Sequence, residues 1–232
     1  LKAALMKSMS QQEKQKLAIE YANKSKEGIV YELYEKGMDY LLGMKGLDKD
    51  LHESSKWLQK AATQGHKIAQ YNLGLMYYKG EGVQKDYNQS IYWINKSAVL
   101  GFLMAQIYLG DRYRDGSQVI EQDYKQAVYW YQKAADRGNK HAQLNLGARY
   151  RNGQGVEKDN VQAVYWDKKA ADQGDMNAQY YLGNMYFDGE GVQKSEQRAI
   201  YWYKKSAVQG VVLAQFKLHS IQGVGKFVPS LK

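Results

Sequence analysis

Four histidines, His52, His66, His141 and His219, are the residues of this 232-residue chain best suited to ligate a metal or move a proton near neutral pH. Their spacing supports neither role. No His-x-x-x-His or His-Glu-x-x-His pair sets two imidazoles on one helical face, so they read as surface histidines and no metal site is expected. The absence of cysteine removes thiolate nucleophiles, sulfur-ligated metals and disulfides, and leaves the redox compartment open. The glycine-rich segments GEGVQKD and GVGKF suggest a phosphate cradle. That loop requires G-x-x-x-x-G-K, then Ser or Thr, after a strand, and Lys226 is followed by Phe227. Serine, aspartate and histidine occur without a nucleophile-elbow signature. No catalytic residue and no cofactor are expected, and the chain does not read as an enzyme.

What remains is recognition chemistry. Aromatic residues make up 13% of the chain, and the formal charge is +9 with a pI near 9.3, which favours an acidic partner. Along most of the chain Lys and Arg alternate with Asp and Glu, as on a solvated surface. The end differs: from Gln197 to Lys232 there is no acid, against Arg198, Lys204, Lys205, Lys217, Lys226 and Lys232. No apolar run is long enough to span a bilayer, and the opening Leu1 to Leu5 is too short and charged for a signal-peptide core. No membrane insertion is expected.

The elements that must position these residues are set by a repeat. Trp57, Trp93, Trp130, Trp166 and Trp202 lie 36, 37, 36 and 36 residues apart. Gly65, Gly101, Gly138, Gly174 and Gly210 keep the same steps, as do Lys60, Lys96, Lys133, Lys169 and Lys205. A period in this range marks stacked supersecondary units. Within Ala69 to Gly101, Ala69, Leu73, Gly74 and Tyr77 form one helical stripe, ended by Gly80 and Gly82. Ser90, Trp93, Ile94 and Ser97 form a second, closed by Gly101, so the unit is a helical hairpin. Asp86, Asp123, Asp159 and Ser195 precede second helices as N-caps, and Gly80, Gly116, Gly153 and Gly189 mark turns with positive φ. The ends deviate: Gln15 to Gly28 reads as a lone capping helix, and beyond Ala214 the pattern fades, with His219 in the glycine position and a loose tail around Pro229. The organisation expected is a cap over 1–28, five repeats over 29–213, and a partial repeat with tail over 214–232.

AQLNLGARYRNGQGVEKD followed by AVYWDKKAADQG, between Ala142 and Gly174, resembles the Sel-one-like repeats, relatives of the tetratricopeptide repeats with a longer inter-helix loop. Asp167, where that family usually has Tyr, and Ser90, Ser97 and Ser206, where it has Ala, are mild departures. The resemblance covers roughly residues 30–219. It implies an all-α, right-handed superhelical solenoid of antiparallel helix pairs whose first helices line a concave surface. It implies function only broadly: bacterial adaptors, regulators of envelope or secretion machinery, host-interaction factors or immunity proteins, in periplasm or cytoplasm.

Aligning Leu73-Gly74 with the Leu-Gly of tetratricopeptide repeats puts Tyr71, Asn72, Leu75 and Tyr78 on that surface. Their counterparts include Tyr108, Asp111 and Arg114, then Asn145 and Arg151, then Tyr180, Tyr181, Asn184 and Phe187. Aromatics and Arg at such variable positions suit a binding surface. Tyr78, Arg114, Arg151 and Phe187 would form a ladder suited to a protein partner with acidic and apolar groups. The alternative for the two arginines is pairing with local acids such as Asp111 or Asp115, and several of the other residues could simply pack unit against unit. The function expected is a protein-interaction solenoid, either adaptor or dedicated inhibitor of a bacterial effector. The alternative is a binder of an acidic polymer, nucleic acid or envelope polysaccharide. Nucleic acid is disfavoured because the tyrosine columns Tyr77, Tyr113, Tyr150, Tyr186 and Tyr92, Tyr129, Tyr165, Tyr201 recur in every unit as structural positions do. The sequence leaves the oligomeric state open.

Overall fold

A computed structural model describes residues 11–223, so the tail around Pro229, Lys226 and the first ten residues lie outside the described part. Among the described residues there are eleven helices and no strand. They are α1 (Gln11–Leu42), α2 (Leu51–Thr63), α3 (Lys67–Lys79), α4 (Tyr87–Val99), α5 (Leu103–Asp115), α6 (Tyr124–Ala135), α7 (Lys140–Asn152), α8 (Asn160–Asp172), α9 (Met176–Asp188), α10 (Glu196–Val208) and α11 (Val212–Gln222). Odd-numbered helices are first helices and even-numbered ones second helices of five hairpins, with α11 opening a sixth. The chain divides into two compact units, Leu1–Ala105 and Gln106–Lys232.

Each hairpin follows from its punctuation. Asp86, Asp123, Asp159 and Ser195 accept the amides of Gln89, Gln126, Gln162 and Arg198 at 3.0, 3.1, 3.0 and 3.3 Å, satisfying N–H groups the helix cannot. First helices use caps that the sequence pattern did not mark: His66 Nδ1, Asn139 and Asp175 accept from Ala69, Ala142 and Ala178 at 3.2, 2.9 and 2.9 Å. Buried Gln70, Gln143 and Gln179 donate to the carbonyls of Ala62, Ala135 and Ala171, which end the preceding second helices. One expectation changes. In place of a lone helix ending at Gly28, α1 runs unbroken to Leu42; a Cβ at Gly28 would meet nothing within 4 Å, and no left-handed turn forms there.

Trp93, Trp130, Trp166 and Trp202 are buried, as core residues of a repeat should be. Trp57, in the terminal hairpin, is half-buried with Lys36 and Lys60 Nζ at 4.0 and 4.2 Å from its ring. The side chain one residue beyond each Trp lies against a glycine of the first helix. A Cβ on Gly37 would stand 2.8 Å from Leu58 Cγ, one on Gly74 2.6 Å from Ile94 Cγ1, one on Gly110 2.7 Å from Tyr131, and one on Gly183 2.6 Å from Tyr203. Gly147 meets Asp167 in the same way. The first helix of each of the five hairpins therefore carries a notch filled by one second-helix side chain.

The notch predicts opposite signs for one substitution. Alanine has the better helix propensity by about 1 kcal/mol, so Gly28→Ala should raise stability by about 0.5–1 kcal/mol. At Gly110 the methyl group strikes the ring of fully buried Tyr131, and overpacking of about 1–3 kcal/mol outweighs propensity. Gly110→Ala should lower stability in urea unfolding; a gain at both sites would show that the notch is not filled as described.

Candidate functional site

The notches connect the hydrophobic layer to the face of the first helices. In the second unit Tyr131 crosses Gly110 and its hydroxyl donates to Asp111 Oδ1 at 2.7 Å. Tyr203 crosses Gly183 and donates to Asn184 Oδ1 at 2.7 Å. Asp167 is too short to cross, and Ala148 stands where Asp111 and Asn184 stand in the neighbouring repeats. Here the first helix reaches inward, with Arg151 Nη1 donating to Asp167 Oδ2. In the first unit the equivalent pairs, Leu58 with Met38 and Ile94 with Leu75, are apolar. In four repeats the residue after the Trp is thus matched in chemistry by the residue after the first-helix Gly, and in the fifth Arg151 takes the place of Ala148 as the partner of Asp167.

Around Asp111 the match builds a network. His141 Nε2 lies 3.1 Å from Asp111 Oδ1. Asp111 is an acceptor, so the ring N–H donates to it, and the Asn145 amide donates to the His141 carbonyl at 2.9 Å. Arg114 forks onto Asp115 at 2.7 and 2.6 Å and donates to Asn145 Oδ1 at 2.8 Å. Burial works to raise the Asp111 pKa, but hydrogen bonds from His141 and Tyr131 outweigh it and hold the carboxyl below its usual range. The hydrogen bond to Asp111 raises His141, and burial followed by that carboxylate raises the Tyr131 phenol.

Toward the end of the second unit the face becomes aromatic. Arg151 stacks over the exposed Tyr181 ring at 4.1 Å, and Tyr180 lies 5.5 Å from Tyr181 and 6.0 Å from Tyr203. Phe187 carries Lys217 and Lys194 at 5.4 and 5.8 Å, and Tyr108 faces Arg112 at 5.1 Å. In the first unit Tyr71 meets Phe102 edge-on at 5.2 Å and Tyr78 meets Tyr87 at 5.5 Å. Asn72 contacts Met38 Sδ at 3.3 Å, and Leu75 is half-buried. Of the residues chosen from sequence, Asp111, Arg114 and Asn145 form one cluster and Arg151, Tyr180 and Tyr181 another. The residues that hold them, Tyr131, His141, Asp167 and Tyr203, were missed. For Tyr131, Asp167 and Tyr203 a signal was present, because the position directly after each Trp, ahead of the Lys that follows in every repeat, holds Leu, Ile, Tyr, Asp and Tyr in the five repeats. Among the described residues no group of three or more His, Asp and Glu side chains could hold a metal ion.

Asp167 has a thermodynamic consequence. Its carboxyl is fully buried, one oxygen lacks a hydrogen-bond partner, and burial pushes its pKa up to about 6, against the pull of Arg151. An unfolded aspartate titrates near ~3.9, so the native state holds the extra proton between these values. Stability from this group is therefore greatest below about pH 4 and falls, by roughly 3 kcal/mol, as pH rises through about 6. Asp167→Tyr, the residue of two other repeats, should abolish that component: urea midpoints at pH 4 and pH 7 should show the variant gaining on wild type as pH rises. Adding Ala148→Asn should supply the new hydroxyl with its acceptor, for a coupling of about 1 kcal/mol. A pH-independent difference would contradict the assignment.

The Sel1 repeat family matches the chain in five consecutive segments, residues 33–66, 67–102, 103–139, 140–175 and 177–211. Among solved structures, c5321, a protective antigen of uropathogenic Escherichia coli displaying an SLR fold, is 36% identical with a TM-score of 0.75, over 86% of this chain and 43% of the antigen. The chain thus spans less than half of that relative's length. A Sel1 repeat protein of Oxalobacter formigenes is 40% identical with a TM-score of 0.65, over 83% of this chain and 78% of its own. The immunity protein Pa5087 of Pseudomonas aeruginosa is 24% identical with a TM-score of 0.40, over 84% and 71%, a distance at which the likeness carries no argument about function. No curated protein matches the chain. Five adjoining repeats and relatives of this identity establish that the chain belongs to the Sel1 repeat family.

Proposed function

We propose that the chain is a protein-binding module whose partner lies along the first-helix face of the second unit, on α5, α7 and α9, with α3 presenting a corresponding stretch in the first unit. The observation that carries this reading is pre-organisation. Tyr108, Asp111, Arg114, Asn145, Arg151, Tyr180, Tyr181, Asn184 and Phe187 are held in place by buried side chains reaching through the notches or by stacking cations. A rigid aromatic surface loses little entropy on binding.

The partner segment has apolar side chains for the Tyr180, Tyr181 and Phe187 rings and carboxylates for Lys194 and Lys217, which stand over Phe187. Arg114 and Arg151 already hold internal acids, so they orient the surface rather than supply uncompensated charge. That balance also disfavours an acidic polymer, which needs a run of cations free to displace counterions. Whether the partner is scaffolded, as by an adaptor, or neutralised, as by an immunity protein, follows from what it is.

Affinity capture from an extract of the native cells, at low and high salt, tests the reading. Wild type and a Tyr129→Ala/Tyr165→Ala control should retain the same protein at both salts. Tyr181→Ala/Phe187→Ala should lose at least about 2 kcal/mol of binding with melting little altered. Retention by that variant, or recovery of nucleic acid that salt removes, would contradict it.

A further inference from the structure

The turn between α2 and α3, within the first unit, fastens two helices through one titratable side chain. The residue after the turn glycine is His66, and its counterparts in the later repeats are Phe102, Asn139, Asp175 and Val211. Asn139 and Asp175 accept an amide of the helix they open but bring no ring. Phe102 brings a ring, edge-on to Tyr71 at 5.2 Å, but has no acceptor atom. His66 does both. Its Nδ1 accepts the Ala69 amide at 3.2 Å, and its ring stacks on Tyr34 of α1 at 4.3 Å with an interplanar angle of 22°. Tyr31 lies 6.3 Å from the same ring, and Val30 next to it is buried. One imidazole therefore caps α3 and docks α1.

The cap works only with a neutral ring. A backbone amide can donate only to an unprotonated nitrogen, so the single proton of the neutral imidazole is on Nε2. A second proton has to go on Nδ1, where it faces the Ala69 N–H, abolishes the cap and sets a positive charge at the positive end of the α3 dipole. Cation–π attraction to Tyr34 offsets part of that cost. The charged and titratable groups facing the ring are Lys26, Glu27, Tyr31 and Tyr34 on α1 and Lys67 on α3. Glu27 is the one acid among them, and two ammonium groups oppose it. Burial, followed by Lys67, holds the His66 imidazole below its ordinary range. A cavity of about 480 Å³, lined by Lys26, Glu27, Tyr31 and Gln64 as well as His66, gives solvent a route to the ring.

We propose that His66 is an acid-operated latch: neutral, it fastens the first turn of α3 to α1, and protonated on Nδ1 it releases both. The folded chain favours the neutral ring more than the unfolded chain does. The latch therefore contributes its full stability above about pH 6.5, the ordinary value, and loses it as pH falls through the lower value of the folded state. Asp167 responds to pH in the opposite sense and lies in the other unit. Because α3 presents Tyr71, Asn72, Leu75 and Tyr78, release reaches the first-unit stretch of the binding face. That consequence rests on the proposed function; the latch itself does not.

Amide hydrogen exchange of the full chain at about pH 5 and about pH 7.5, corrected for the intrinsic rate at each, tests the latch without any partner. In wild type the protection of Ala69 and Gln70, and of Val30 to Tyr34, should fall about fivefold at the lower pH, the size of a lost cap. His66→Asn keeps an acceptor and takes no proton, so its protection should be the same at both. His66→Phe keeps a ring without an acceptor, so the start of α3 should be weakly protected at both. The side-chain nitrogen shifts of His66 should put the neutral ring's proton on Nε2 and the titration midpoint below about 6.5. Undiminished protection of wild type at the lower pH, an equal loss in His66→Asn, or a neutral ring protonated on Nδ1 would each overturn the proposal.

Discussion

At five places in this protein a side chain from a second helix occupies the space that a first-helix Cβ would need. The glycine sets how near the two helices come, and the length and chemistry of the side chain laid across it decide what emerges on the other side. Leu58 and Ile94 stop within the hydrophobic layer, while Tyr131 and Tyr203 are long enough to deliver a hydroxyl to the far face. Beyond the first hairpin, the second-helix caps, the buried Gln and the buried Trp recur in every hairpin. Variation enters at the notch.

This arrangement separates fold from function within a repeat. A Sel1 hairpin tolerates an apolar residue, a tyrosine or an aspartate at the notch, because each fills it in its own way, but each demands a different residue opposite. Asp111 and Asn184 accept from tyrosine, and Arg151 compensates Asp167, whose burial would otherwise leave a lone charge in the core. The face offered to a partner is therefore specified from inside. A pair such as Asp167 with Arg151 costs desolvation, and removing either partner would leave an uncompensated charge in the core.

Much of this was legible in the chain. The 36-residue period, the hairpin, the Asp and Ser caps and the buried tryptophans follow from local rules, and the structure shows them where the pattern puts them. Gly28 misled because glycine is a stop signal only where the chain must turn, and α1 has no need to turn there. Asp167 was passed over as a mild departure because its partner Arg151 lies sixteen residues earlier across a notch, a relation that periodicity cannot express. His141 read as a surface histidine until Asp111, thirty residues away, was brought beside it. Local grammar determines the hairpin; the polar pairs depend on which helices meet.

Photo-crosslinking asks most directly where a partner sits. A benzophenone side chain in place of Tyr181, on the first-helix face of the second unit, should form a discrete adduct with one cellular protein. The same group in place of Tyr129, an exposed position on a second helix, should not. Adducts at the Tyr129 position with none at the Tyr181 position would contradict the account.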